Sequence, residues 1–147
     1  MLDLMRAVVP KLFTGLGIIF LSLGFVMAVG ALARWQFGGG IAWFFLAHGG
    51  MYMLLGVGVF MRARWLLAAL VLNLVGSLIL YTATGLQGEN VDVTRLLTNT
   101  LATLIALGIT YASKNTLTHT QKNVVAGALF LVLWIFSYLT ALLRVLG

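Results

Sequence analysis

The chain has 147 residues, of which 62% are hydrophobic and 8% charged, and its mean hydropathy is +1.10. A soluble domain needs about 25% charged residues to cover its surface, so this composition excludes a soluble enzyme and puts residues 1–147 in lipid as a single transmembrane domain. Nine Lys+Arg against three Asp+Glu give a net charge of +6, but these bases stand singly or in pairs at the ends of apolar runs, a placement that orients membrane helices rather than one that grips nucleic acid.

The expected fold is all-α, a polytopic integral membrane helical bundle with five transmembrane helices. Residues 1–10 read as a short interfacial segment, with Leu2, Met5 and Val9 toward lipid and Asp3 and Arg6 toward water. Pro10 suits the first turn of the span that follows, 12–33. This basic start, its apolar run and the small-x-small Ala31-Leu32-Ala33 resemble a secretory signal. The run is about twenty residues, however, and a signal core has about 7–15, so it reads as a retained span. Gly17, Gly24 and Ala28 form a small-residue face of a kind common by chance in glycine-rich membrane segments.

RWQFGGG follows, with helix-breaking glycines at Gly38, Gly39 and Gly40. Span 41–61 is joined to span 65–84 by Arg62-Ala63-Arg64 alone, which makes these two helices antiparallel neighbours. GLQGENVDVT leads to the fourth span, 96–112, the weakest at seventeen residues with many threonines. The alternative fold is four spans, with 96–112 interfacial or re-entrant. KNTLTHTQKN leads to the fifth span, 124–143. With the N-terminus inside, the inner segments carry Arg6, Lys11, Arg62, Arg64, Lys114 and Lys122, and the outer ones Arg34, Arg95 and Arg144. Six against three favours N-in/C-out.

Polar side chains in a bilayer point at other helices or at an aqueous cavity. Ala69, Asn73, Ser77 and Tyr81 recur at i, i+4 on the third span, beside Gly76. Asn99, Thr103, Ala106, Thr110 and Ser113 share a face of the fourth. These faces are expected to pack on each other, with Asn, Ser and Thr bonding across the contact, or to line a polar pathway. Asn73, near mid-span between leucines, is expected to join helices of one chain or of a homo-oligomer. Trp35, Trp43, Trp65 and Tyr111 fall near span ends, where an interfacial belt is expected. Trp134 and Tyr138 lie deeper and are expected to pack inside.

His48 is the only His, Asp, Glu, Lys or Arg in 41–61, with Tyr52 one turn below it and Gly49 and Gly50 beside it. The other histidine, His119, lies in the loop after the fourth span, and no acid lies in any span, so neither a tetrahedral metal site nor an acid-based coupling site is available. The expectation is a neutral imidazole bonded to a neighbouring helix that the glycines let approach. A weaker candidacy keeps His48 as a haem or quinone ligand or a proton carrier.

No motif for hydrolysis, phosphoryl transfer or redox chemistry is present, and the absence of cysteine removes thiol chemistry. The expected function is therefore a non-enzymatic integral membrane subunit, without cofactor or metal. Its partners would be the lipid bilayer and other membrane subunits, or copies of itself in a homo-oligomer, and no nucleic acid. It would sit in a bacterial-type inner (plasma) membrane. The alternatives are a small homo-oligomeric transporter or channel, and a haem- or quinone-binding subunit that uses His48.

Overall fold

The computed structural model describes the backbone of residues 1–35 and 40–147. Five α-helices follow one another: α1 Leu2–Trp35, α2 Gly40–Phe60, α3 Trp65–Leu86, α4 Val93–Ala112 and α5 Gln121–Leu146, with a 3-10 turn Lys114–Thr116 before α5. Each contains a stretch long and apolar enough to cross a membrane, so the chain is a five-helix membrane bundle. The expected break at Gly38 and Gly39 lies outside the described residues, and Gly40 already belongs to α2.

The fourth helix has 20 residues rather than seventeen, because it starts at Val93. Asp92 caps it, its carboxylate accepting the Arg95 backbone N–H at 3.0 Å. That satisfies one of the donors a helix start leaves free and gives the helix the length that spanning takes. Residues 1–10 are continuous with the first span: α1 runs through Pro10 without interruption. Its 34 residues extend about 51 Å against a hydrocarbon core of about 30 Å. The first buried side chain is Phe13, so the basic N-terminal turns project beyond the packed bundle.

Around the bundle the packing order is α1, α2, α5, α3, α4 and back to α1. α2 and α3 are antiparallel, as their four-residue link demands, but α5 packs against both of them and leaves the two little direct contact. The α1–α2 pair is the most intimate. Gly17 and Gly24 on α1, and Gly49 and Gly56 on α2, are each seven residues apart and meet in antiparallel sense. A methyl on Gly24 would lie 2.5 Å from the Gly49 carbonyl oxygen, and one on Gly49 would lie 2.8 Å from that of Gly24. Backbone touches backbone here, which is how membrane helices gain van der Waals contact in a solvent as apolar as their side chains. Met51, Leu55 and Val59 of α2, Leu66 and Leu70 of α3, and Phe130 of α5 fill the middle.

The two short links end their helices in the same way. After α2, Ala63 N–H bonds the Gly58 carbonyl at 2.9 Å and Arg62 N–H bonds that of Val59 at 3.0 Å. This is a Schellman motif, with Arg62 at φ 51° in the left-handed position glycine usually takes. After α3, Glu89 N–H bonds the Thr84 carbonyl, Gly88 N–H bonds that of Gly85, and Gly88 has φ 75°. The 61–64 turn is tied to the α4–α5 loop by Thr118 N–H to the Arg62 carbonyl at 2.6 Å and Arg64 N–H to the Thr118 carbonyl at 3.0 Å. Asn123, fully buried, donates to the same Thr118 carbonyl at 3.0 Å. The end of the molecule carrying Arg62, Arg64, Lys114 and Lys122 is thereby one connected surface.

Candidate functional site

Polar side chains of four helices converge in the bundle interior on the hydroxyl of Tyr138. Asn73 and Ser77 occupy one face of α3 and are almost fully buried. Tyr138 reaches them from α5 because Gly76 leaves room: a methyl there would lie 2.9 Å from the phenol ring. The Tyr138 hydroxyl stands 3.0 Å from Ser77 Oγ and 3.0 Å from Asn73 Oδ1. Asn99 Nδ2 of α4 donates to Ser77 Oγ at 3.3 Å, and Asn73 Nδ2 points at the Tyr52 hydroxyl of α2 at 3.5 Å.

The donor inventory orders these contacts. An amide nitrogen only donates, and a hydroxyl donates once while accepting. Asn99 therefore donates to Ser77, Ser77 to Tyr138, Tyr138 to Asn73, and Asn73 to Tyr52. Such a one-way chain polarises each bond in the same sense. It links α4, α3, α5 and α2, which is a stronger cross-tie than the sequence expectation of a two-helix seam between the third and fourth spans. Trp134, one turn before Tyr138, adds a bond to the Leu72 carbonyl at 3.0 Å.

The remaining polar positions divide differently from expectation. Thr103 and Thr110 are buried, but their hydroxyls donate at 2.8 Å to Asn99 and Ala106 carbonyls of their own helix. Ser/Thr back-bonding of this kind hides the hydroxyl rather than offering it across a contact. The α4 stripe thus contributes one cross-helix bond, from Asn99. Tyr81 is half-buried on the Asn73 face. Asn73 joins helices within this one chain, to α5 and α2, so its polar face is occupied internally, as is the Gly17–Gly24 face of α1.

His48 borders this network without bonding to it. Its ring stacks on Phe44 at 5.1 Å and meets Tyr52 and Tyr138 edge-on at 5.1 and 5.5 Å. Its Nδ1 is buried and has no hydrogen-bond partner among the described residues. The expected carbonyl or side-chain partner for Nδ1 is therefore not found, and the adjacent glycines act elsewhere: Gly49 admits α1, and a methyl on Gly50 would lie 3.2 Å from Leu133 of α5. Among the described residues no three His, Asp or Glu side chains gather to hold a metal ion.

Of the aromatic belt, Trp35 and Trp43 are exposed and meet edge-on with ring centroids 4.6 Å apart, and Tyr111 is exposed. Trp65, the first residue of α3, is half-buried. Its indole is wedged between Gly58 of α2 and Gly127 of α5, at 2.8 and 3.0 Å from where their methyls would be, and lies 5.6 Å from the Phe130 ring. Tyr138 is the residue whose importance the sequence least revealed. Its only signal was a phenol in mid-span, next to Ser137.

The chain matches no family model, no curated protein sequence and no solved structure.

Proposed function

We propose that the chain is a non-enzymatic integral membrane subunit, oriented N-in/C-out in a bacterial-type inner membrane, that associates with other membrane proteins or with its own copies. The observation that supports this most is the continuous chain of bonds from Asn99 through Ser77, Tyr138 and Asn73 to Tyr52. It bonds five polar side chains of four helices to one another, which is the work of a scaffold that holds one arrangement of helices. With the polar and glycine faces engaged inside the bundle, association falls to the apolar outer faces, such as Val125, Leu129 and Val132 of α5. The orientation is supported by six bases at one end. Native mass spectrometry after gentle extraction tests the assembly: a stoichiometric protein partner or a defined homo-oligomer is expected, and a bare monomer at every detergent concentration would overturn it. Reporter fusions at Gln87 and His119 test the orientation, with the first outside and the second inside.

A second proposal, a small transporter or a haem- or quinone-binding subunit, draws on one observation, the unpartnered Nδ1 of His48. A buried polar atom without a bond costs about 1–3 kcal/mol, and such a cost is retained where the group has a task. Flux measurements on His48→Ala and a visible spectrum of the purified protein separate these alternatives from the scaffold.

A further inference from the structure

A groove of about 790 Å³ runs between α3 and α4 on the outside of the bundle. Leu67 and Val71 of α3 and Leu104, Leu107, Gly108 and Tyr111 of α4 form its walls. Its volume falls within the roughly 300–1,000 Å³ of small-molecule sites, and its lining is almost wholly apolar. From Leu104 to Tyr111 it follows α4 for about 10 Å, most of the roughly 15 Å depth of one leaflet's hydrocarbon. It lies in the half of the bilayer next to the basic end, since it uses the first turns of α3 and the last turns of α4.

Its mouth is charged. Lys114 Nζ donates to the Tyr111 hydroxyl at 3.0 Å and sits 4.2 Å over the Tyr111 ring. Both side chains are exposed. The ammonium keeps further N–H groups, and the phenol, having accepted from lysine, keeps its own proton to donate. Arg64, at the head of α3, is held toward the same loop by its Nε bond to the Leu117 carbonyl at 3.4 Å. An apolar slot of leaflet depth that opens on a lysine ammonium and a phenol is complementary to one kind of molecule, an acyl chain bearing an anionic headgroup.

We infer that the α3–α4 groove holds an acyl chain of an anionic phospholipid, whose phosphate is bound by Lys114 and Tyr111. Gly108 forms part of the groove floor, and a methyl on it would meet nothing within 4 Å, so the floor can be filled without disturbing the helix. The test is native mass spectrometry of the purified full chain incubated with phosphatidylglycerol or with phosphatidylcholine of the same acyl chains. The wild type should retain phosphatidylglycerol about five-fold better, the fold-change equivalent of about 1 kcal/mol per basic residue at an anionic surface. Lys114→Gln should abolish that preference, and Gly108→Trp should lower retention of both lipids. A photoreactive phosphatidylglycerol analogue on the unmutated protein should label the 104–111 segment. Equal retention of the two lipids by the wild type, or labelling that avoids this segment, overturns the proposal. So does a Gly108→Trp variant that keeps its lipids but loses a protein partner, because the groove would then seat another helix.

Discussion

The hydroxyl of Tyr138 on α5 donates to Oδ1 of Asn73 on α3 across 3.0 Å. Both residues are at least nine-tenths buried, so this bond joins two membrane helices where water cannot compete for either group. Single interhelical hydrogen bonds in a membrane protein average about 0.6 kcal/mol, but Asn73 also donates onward to Tyr52. Asn73→Leu should therefore destabilise the bundle by about 1–2 kcal/mol, between that average and the roughly 1–3 kcal/mol for stranding a buried partner. A double-mutant cycle with Tyr138→Phe should give a coupling of about 0.5–1.5 kcal/mol, within the range for residues that share a network. Unfolding in mixed micelles measures both, and zero coupling would remove Tyr138 as the hub.

The α1–α2 seam makes a sharper forecast. A side chain at Gly24 or Gly49 meets the opposite backbone at 2.5–2.8 Å, and a backbone cannot move aside as a flexible side chain can. Gly24→Leu and Gly49→Leu should prevent recovery of folded protein. Gly30→Ala, where a methyl meets nothing within 4 Å, should be tolerated or should stabilise by up to about 1 kcal/mol through helix propensity. Yield of monodisperse protein by size-exclusion chromatography distinguishes these sites.

Trp65 fills the gap between Gly58 and Gly127, yet its Nε1 is buried without a partner among the described residues. Trp65 is half-buried, so Trp65→Ala should cost less than the about 3–5 kcal/mol of a fully buried aromatic, about 1.5–3 kcal/mol. Trp65→Phe keeps most of the ring and removes the unbonded N–H, so it should cost less, within about 1.5 kcal/mol of wild type. Two variants equally damaged in thermal unfolding would mean that the indole N–H has a partner after all.

At His48 stability and function should part. Because Nδ1 has no partner, His48→Leu should leave stability unchanged or raise it by about 1 kcal/mol, since the desolvated polar atom is gone. A loss of several kcal/mol in the same micelle assay would show that the imidazole is bonded.

Arg62 holds the left-handed position of its Schellman turn at φ 51°, which costs a non-glycine residue roughly 1–2 kcal/mol. Arg62→Gly should therefore raise the unfolding midpoint, and a lowered one would mean that the arginine side chain contributes more than its backbone strain costs.

Much of the architecture was legible in the residues. Runs of about twenty apolar residues in lipid can satisfy their backbone only as helices, so composition and length determined five helices, and the bases at the run ends marked which end of the bundle is basic. The expected span starts at 96 and 124 missed two local features: Asp92 and Thr120 each accept the backbone N–H three residues on, and so start their helices earlier. The one-face spacing of Asn73 and Ser77 made them interior, because their side chains find no partner in lipid.

Which helix met which was decided only in three dimensions. A membrane interior is apolar on every side, so the pattern of one helix does not name its neighbour. Gly24 found Gly49 because their backbones fit in antiparallel contact, and that fit depends on two helices at once. Tyr138 became the centre of the polar chain because Gly76, 62 residues earlier, left room for its ring. Thr103 and Thr110 left that chain by bonding their own helix, a choice their sequence spacing leaves open. Trp65, at the first residue of α3, packs its ring into the bundle end because Gly58 and Gly127, on two other helices, leave a slot there, and three chain positions far apart in sequence have to meet to make it.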